Sequence, residues 1–483
     1  MQGFRSEKYR VRSSKVSAAF ERLSAFKEGG IQDKIMVAIL KQQGYSWEGN
    51  NSSQHDPDKL YEKMAAFSPE RRVKVEMNTP SMRRAVDAAY SILAKPKGQP
   101  RLKVLESVSD VVDALELDKS AGLPFLGKKG EWFGYHWNRE LQVRKEKKKP
   151  EPCIIMARNQ FNWKTRAVYA YPMHMTIMES RFAKPFIARL SKMNTPIAMA
   201  QSKWVLGSRV TYIDDSYGLS RTMDFSGYDG SIPQELIRVA FAIIATWFSN
   251  EDLEEFGWDK IVNYFIYTPF VMPNGKVYFG KEHGVPSGSY FTQVIDSIVN
   301  VIVQFWLSFE LGYTQNRENF VCLGDDVFTS VPVEITDMML AEKVAELGLV
   351  MHPDKTDNIP HFLGALWFKG IPFRDKHELL QKMVYPERYR LYPSKDRFER
   401  HELALQLIAQ YAVVNVSAWD ILLEVAGKCQ DMTRLDNLYT FTDAYAHSKW
   451  RKEILSGAFK HLGESEVPLL DVLKRPLSAI ILS

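Results

Sequence analysis

The sequence predicts a helix-rich α+β fold, and two observations carry that expectation. Short stretches at 153–156, 163–169, 219–225 and 320–323 read as strands, the first and last of them unbroken apolar runs. Between and after them lie longer patterns at 232–248, 289–305, 336–347 and 398–414 whose apolar residues recur at helical spacing. A chain of 483 residues exceeds one small core, so two to four packed subregions are expected. No repeat, low-complexity tract or long Gly/Ser linker divides them.

Taken in order, residues 1–70 hold short helical patterns around a polar loop at 48–58. The basic run Arg144-Lys145-Glu146-Lys147-Lys148-Lys149 precedes Pro150 and the strand at 153–156. The strand at 219–225 leads to Ser231-Ile232-Pro233-Gln234, a capping-box spacing with Pro in the first turn, so a helix is expected over 232–248. Gly324-Asp325, flanked by the apolar 320–323 and Val327-Phe328, fits a two-residue hairpin with Gly first. A helix over 336–347 stops at Gly348. In the last hundred residues, Leu403, Leu405, Leu407, Ile408 and Tyr411 give 398–414 its apolar side.

Composition excludes more than it selects. Hydrophobic residues make up 45% and charged residues 25%, within the ordinary globular range. Lys and Arg total 63 against 58 Asp and Glu, a net charge of +5 with a pI near 8.7. That mild excess permits a nucleic-acid partner without requiring one. Cys153, Cys322 and Cys429 form no CxxC pair, so neither a disulfide framework nor a zinc site is expected. Residues 1–15 are polar and basic rather than leader-like, and Gln2 offers no glycine for myristoylation. The apolar stretch 239–248 is shorter than a bilayer span. A chain without membrane contact, soluble or interior to a particle, is the expectation.

Three segments carry chemistry. Met223-Asp224-Phe225-Ser226-Gly227-Tyr228-Asp229 sets Asp224 at a strand end and Asp229 in the following loop, where an ordinary turn would read the same. Cys322-Leu323-Gly324-Asp325-Asp326-Val327 sets two carboxylates side by side, which repel unless a cation lies near them. Oxygen-only donors suit Mg²⁺ or Mn²⁺. Between them, the turn-rich His283 to Gly288 loop runs into a helix with an apolar stripe of Phe291, Ile295, Ile298, Ile302 and Phe305. Thr292, Asp296 and Asn300 recur every four residues on another face. That polar stripe either lines a cavity for a ligand's hydroxyls or is satisfied within the core.

Lys164 and Arg166 alternate on one strand face, with Arg158 as a third cation, fit to clamp a triphosphate or simply to face water. Lys355, in His352-Pro353-Asp354-Lys355, is placed to protonate a leaving group or is a surface lysine. Trp132-Phe133-Gly134-Tyr135-His136-Trp137, beside Lys128 and Lys129, offers stacking faces for bases or core aromatics.

In order and spacing these segments resemble the motifs of viral RNA-dependent RNA polymerases of the partitivirus type, similar to those of plant cryptic viruses, with picobirnavirus polymerases a nearby alternative. The stretch Gly284-Val285-Pro286-Ser287-Gly288-Ser289-Tyr290-Phe291-Thr292-Gln293, followed by Asp296-Ser297-Ile298-Val299-Asn300, carries the resemblance most specifically. It extends over residues 120–374.

The resemblance implies a closed right hand of fingers, palm and thumb, the palm an antiparallel sheet backed by helices. Residues 1–110 would bridge fingers and thumb, 111–205 and 236–280 form fingers, 206–235 and 281–374 palm, and 375–483 thumb. It implies that Asp224, Asp325 and Asp326 hold Mg²⁺, or Mn²⁺, and that Lys355 aids departure of pyrophosphate. Arg158, Lys164, Arg166, Asp229, Ser287, Gly288, Thr292 and Asp296 would contact the nucleotide, although many relatives carry Asn where Asp296 stands. Ser120, Gly122, Pro124, Gly364 and Arg374 would flank template and product RNA. The implied partners are RNA, NTPs and a viral capsid protein, within the virion and the host cytoplasm, replicating and transcribing a double-stranded RNA genome. A reverse transcriptase on the same palm would usually carry an aromatic residue before the paired aspartates and a bulky gate in place of Asp229. A non-catalytic RNA-packaging protein has no use for the carboxylates, and a nuclease has none for the helix after Ser287.

Overall fold

The computed structural model describes residues 1–25, 56–160, 164–216, 218–353 and 360–373, with single positions at 37, 41, 44 and 384. Its helices are α1 (Ser14–Ser24), α2 (Pro57–Ala65), α3 (Pro80–Leu93), α4 (Val108–Ala114), α5 (Lys129–Arg144), α6 (Met173–Leu190) and α7 (Lys203–Asp214). They continue with α8 (Tyr228–Ser231), α9 (Gln234–Ala245), α10 (Asn250–Glu255), α11 (Trp258–Ile266), α12 (Thr292–Leu311) and α13 (Asp337–Ala345). The strands are β1 (Arg5–Lys8), β2 (Cys153–Gln160), β3 (Lys164–Ala170), β4 (Leu219–Met223), β5 (Phe270–Val271) and β6 (Lys276–Phe279), then β7 (Phe320–Leu323), β8 (Asp326–Val331), β9 (His361–Phe362), β10 (Ala365–Phe368) and β11 (Ile371–Phe373).

Among the described residues the strands form three sheets. The central one, β4-β8-β7, is antiparallel, with Met223 opposite Val327 and Leu323 opposite Asp326. Both faces are covered, which explains why β7 reads as an unbroken apolar run. Phe320 and Cys322 join the main core with α12, while Val321 packs with Leu206, Val210, Phe328, Phe362 and Trp367 on the other side. A five-stranded mixed sheet runs β1-β6-β5-β2-β3, and β9, β10 and β11 make a small antiparallel meander.

α12 is the axis of the core. It packs against α3, α9 and β7. By length and composition alone this helix would cross a bilayer, but 83% of its most apolar stretch is buried inside the fold. Its apolarity is that of a core helix, closed by Gly312 in the left-handed conformation at φ +74°.

Several sequence expectations need adjusting. The helix expected over 232–248 spans only Gln234–Ala245, because Gly227, at φ +61°, first opens the one-turn helix α8. Ser231 therefore closes that turn, its hydroxyl donating to the Tyr228 carbonyl, and caps nothing downstream. The first seventy residues also contain β1, which pairs with β6 through Arg5 opposite Phe279. The helix expected at 398–414 and the thumb expected over 375–483 lie outside the described residues, Val384 excepted, as does most of the 48–58 loop.

Candidate active site

β4 and β8 run antiparallel to their last pair, Met223 opposite Val327, so Asp224 leaves the sheet abreast of Asp326. The β7–β8 turn is the two-residue Gly324-Asp325, with Gly324 at φ +67°, a conformation that favours glycine at the first turn position. The Asp224 carbonyl accepts the His352 N–H at 3.3 Å and Ser226 N–H donates to the Val350 carbonyl at 2.8 Å, which fixes the strand exit from the far side.

Asp224 and Asp325 are exposed, and Asp326 is half-buried between them. Burial, then the charges of Asp325 and Asp224, push the Asp326 carboxyl up to about 6. Asp229, in α8, is pushed up to about 6 by burial and by Asp325, with Arg166 opposing. Asp296, buried on α12, is pushed well up by burial, then by Asp229 and Asp325, and its Oδ1 has no hydrogen-bond partner. Five carboxylates on four elements therefore act on one another.

No three described His, Cys, Asp or Glu side chains already stand as a closed ligand set. The donors nevertheless fit a hard divalent cation: all are carboxylate oxygens, the charges of Asp325 and Asp224 help push Asp326 up, and the nearby Asp296 has an unpartnered buried oxygen. Asp224, Asp325 and Asp326 are the residues that would hold it.

The basic strand arrives from the other sheet. Arg158 and Arg166 are directly opposed across β2 and β3, both exposed. Two cations side by side on a strand face can make charge-assisted contacts to a polyanion. Lys164 opens β3, paired with Gln160.

The loop between the two parts is tied to both. Ser287 Oγ accepts the Tyr169 N–H at 3.4 Å, and a Cβ on Gly288 would overlap the Tyr169 carbonyl oxygen. The loop thus lies directly against β3. Thr292 Oγ1 donates to the carbonyls of Pro286 at 2.9 Å and Ser289 at 3.0 Å, closing the loop on itself. Asn300 Nδ2 donates to the Gly324 carbonyl at 2.9 Å, and Ser297 Oγ accepts the Gly324 N–H at 2.8 Å. Of the polar stripe on α12, then, Thr292 and Asn300 are satisfied by protein, and only Asp296 presents an unpartnered atom.

The remaining predicted residues fall at the periphery. Ser120 is exposed in a loop where Gly122 and Pro124 are buried. Gly122, at φ +70°, packs so tightly on the Tyr171 backbone that a Cβ there would overlap its carbonyl oxygen. Gly364 is exposed in the left-handed turn Leu363-Gly364 between β9 and β10. Lys355 and Arg374 lie outside the described residues.

Two supporting residues escaped the sequence reading. Ser297 was visible only as part of a motif, and Glu179 not at all. Glu179, wholly buried on α6, accepts from Ser289 Oγ and the Tyr290 N–H, both at 2.8 Å. Burial pushes its carboxyl up to about 7, opposed by those donors. It is the one acidic residue of α6, a helix that also carries His174, Arg181, Lys184 and Arg189, so nothing in the sequence marked it out.

Residues 162–401 match the family described as viral RNA-dependent RNA polymerase. An RNA-directed RNA polymerase of Cryptosporidium parvum virus 1 is 30% identical over 294 residues, covering 55% of this chain and 54% of that protein. One from Atkinsonella hypoxylon virus is 29% identical over 134 residues, 25% of this chain and 20% of that protein. The chain thus spans about half or less of the curated relatives it matches. The crystal structure of an insertion-loop deletion mutant of a human picobirnavirus RNA-dependent RNA polymerase superposes with a TM-score of 0.69, over 93% of this chain and 96% of that one, at 17% identity. That likeness identifies the fold as a right-hand polymerase. In fold over most of its length, and in sequence over residues 162–401, the chain is similar to the viral RNA-dependent RNA polymerases.

Proposed function

We propose that this chain is an RNA-dependent RNA polymerase that replicates and transcribes a viral, double-stranded RNA genome by two-metal-ion nucleotidyl transfer from NTPs. One observation carries the reading: Asp224, Asp325 and Asp326 meet where two strands end, and Arg166 reaches the same neighbourhood through its effect on Asp229.

Mg²⁺ or Mn²⁺ held by Asp224, Asp325 and Asp326 would supply Lewis acidity to the attacking hydroxyl and the phosphates. Arg166, with Arg158 and Lys164, orients the triphosphate and balances its charge. Asp229 accepts from the ribose 2′-hydroxyl, with Asp296 behind it. Ser287 and Gly288 seat the nucleotide against template, and Thr292 keeps their loop closed. Lys355 protonates departing pyrophosphate. Ser120, Gly122 and Pro124 shape the template side, and Gly364 and Arg374 support the product strand.

The subdomain division follows the same logic. β2 and β3 share a sheet with β5 and β6, which supports grouping 111–205 with 236–280 as fingers. β4, β7, β8 and α12 serve as the palm of 206–235 and 281–374, and 375–483 serve as thumb. Pairing of β1 with β6 supports a bridging role for residues 1–110. Association with the capsid protein in the virion, and activity in the host cytoplasm, complete the proposal.

The decisive measurement is nucleotide incorporation on single- and double-stranded RNA templates, with Mg²⁺ and with Mn²⁺, and with NTPs and dNTPs in parallel. Template-dependent NTP incorporation is expected. A dNTP preference, or no incorporation under any condition, would overturn the reading.

A further inference from the structure

Lys281 sits between β6 and the 283–288 loop and is fully buried. A lysine is almost never fully buried unless paired, and among the described residues this one has no carboxylate partner. Its Nζ donates instead to three carbonyls: Phe265 at 2.9 Å, Ile266 at 2.8 Å and Gly284 at 2.7 Å. Phe265 and Ile266 are the last residues of α11, whose terminal carbonyls lack helical partners and form the negative end of the helix dipole. Three acceptors match the three N–H bonds of an ammonium. They work against the burial that pushes the Lys281 pKa well down. The Phe67 ring, its centroid 6.0 Å away, packs over the group.

The third acceptor leads into the site. Gly284 N–H donates to the Ile232 carbonyl at 2.8 Å, and the next N–H, from Val285, donates to the Asp229 carbonyl at 2.6 Å. Gly284 holds φ +76°, and a Cβ there would come within 2.7 Å of both the Asp229 carbonyl oxygen and the Phe67 ring. The Gly284 segment is thus held by Lys281 on one side and carries the Asp229 backbone on the other. Three residues later the same loop presents Ser287 and Gly288 to β3. The sequence around Lys281 gives no hint of this, since it reads as one cation in Gly280-Lys281-Glu282-His283.

We propose that Lys281 is a positioning residue for sugar selection: it clamps the Gly284 carbonyl to the end of α11, so that Asp229 and the Ser287-Gly288 turn keep their register against the ribose of the incoming nucleotide. This inference rests on the polymerase reading. Lys281 acts only through the peptides it anchors and touches no reacting atom.

The test compares wild type with Lys281→Met, which fills the volume without donors, and Lys281→Gln, which keeps two. For each, kcat/KM is measured for an NTP and its 2′-deoxy counterpart on one RNA template, with melting temperature recorded alongside. A clamp predicts that the ribo-to-deoxyribo ratio falls ~10-fold in Lys281→Met, mostly through a raised KM for the NTP, and less in Lys281→Gln. A residue that only supports the fold would lower both substrates equally and leave the ratio untouched. A folded Lys281→Met with a ratio near that of wild type overturns the inference. Should Lys281→Met fail to fold, Lys281→Gln decides by the same criterion, and failure of both to fold would also overturn it. Wild type that incorporates neither substrate would instead remove the polymerase reading, and the inference with it.

Discussion

Asp325 and Asp326 are neighbours in sequence but occupy different surroundings. Asp325 stands exposed at the turn, whereas Asp326 begins β8 half-buried. Removing the exposed carboxylate costs little packing, so Asp325→Ala should leave the melting temperature within about 2 °C of wild type. Under the proposed mechanism it should abolish measurable NTP incorporation, and a variant retaining substantial activity would remove Asp325 from the metal site. For Asp326 the sign runs the other way. Its folded pKa, about 6, lies above the usual carboxylate value of 3.8, so its ionised form is disfavoured in the fold. The cost is absent below about pH 4 and fully present above about 6. Asp326→Asn should therefore stabilise the metal-free protein at pH 8, by on the order of 1–2 kcal/mol allowing for partial exposure, and hardly at all at pH 4. Denaturant titration at both values checks this, and a gain that is equal at the two would refute the electrostatic cause.

At the scale of elements, the turn between β7 and β8 is not free-standing. Ser297 and Asn300, one turn apart on α12, hold the N–H and the carbonyl of Gly324. Asn300→Ala leaves that buried carbonyl without its donor, a loss of about 1–3 kcal/mol. Incorporation should fall more steeply than stability, because the displaced turn carries Asp325. Paired melting curves and kcat values would show it, and an unchanged kcat in a destabilised variant would argue that the turn holds its own shape. The strands of this region were legible from the sequence because their apolar runs and Gly324-Asp325 specify a hairpin locally. The polar stripe Thr292, Asp296, Asn300 was legible as a face but not as a set of partners. Helical period tells which residues lie together and says nothing of what they meet. β1 was hidden for a different reason: Arg5-Ser6-Glu7-Lys8 is exposed throughout, without the alternation that marks a half-buried strand. Glu179 was invisible because its partners come from a distant segment, and Lys281 because its partners are backbone carbonyls, which sequence pattern does not mark.

Across the whole molecule, buried titratable groups pull stability in opposite directions with pH. His174 Nε2 accepts the Glu151 N–H at 3.2 Å, so its proton is on Nδ1 and donates to His136 Nδ1 at 3.2 Å. Both rings are wholly buried and neutral, with burial pushing His136 down to about 3 and His174 well down. A depressed histidine pKa means that the unfolded chain takes up protons first, so this pair's contribution is intact above about pH 6.5 and declines as pH falls below it. Asp326, Asp229 and Glu179, all raised, act in the reverse sense. The wild-type profile is therefore a difference of two slopes. In His136→Phe the acid-side slope between pH 6.5 and 4 should be shallower than in wild type, and an identical slope would show that the pair does not titrate on unfolding.

The mixed sheet finishes at β1, whose outward rim is Arg5, Ser6, Glu7 and Lys8. Charged side chains on an outermost strand discourage a second molecule from adding itself there by main-chain pairing. Replacing Arg5 and Lys8 with valine should leave incorporation by the monomer unchanged yet lower soluble yield, with higher-order species visible in light scattering. The short charged strand thus bears on colloidal behaviour, a property quite separate from the chemistry at the carboxylates.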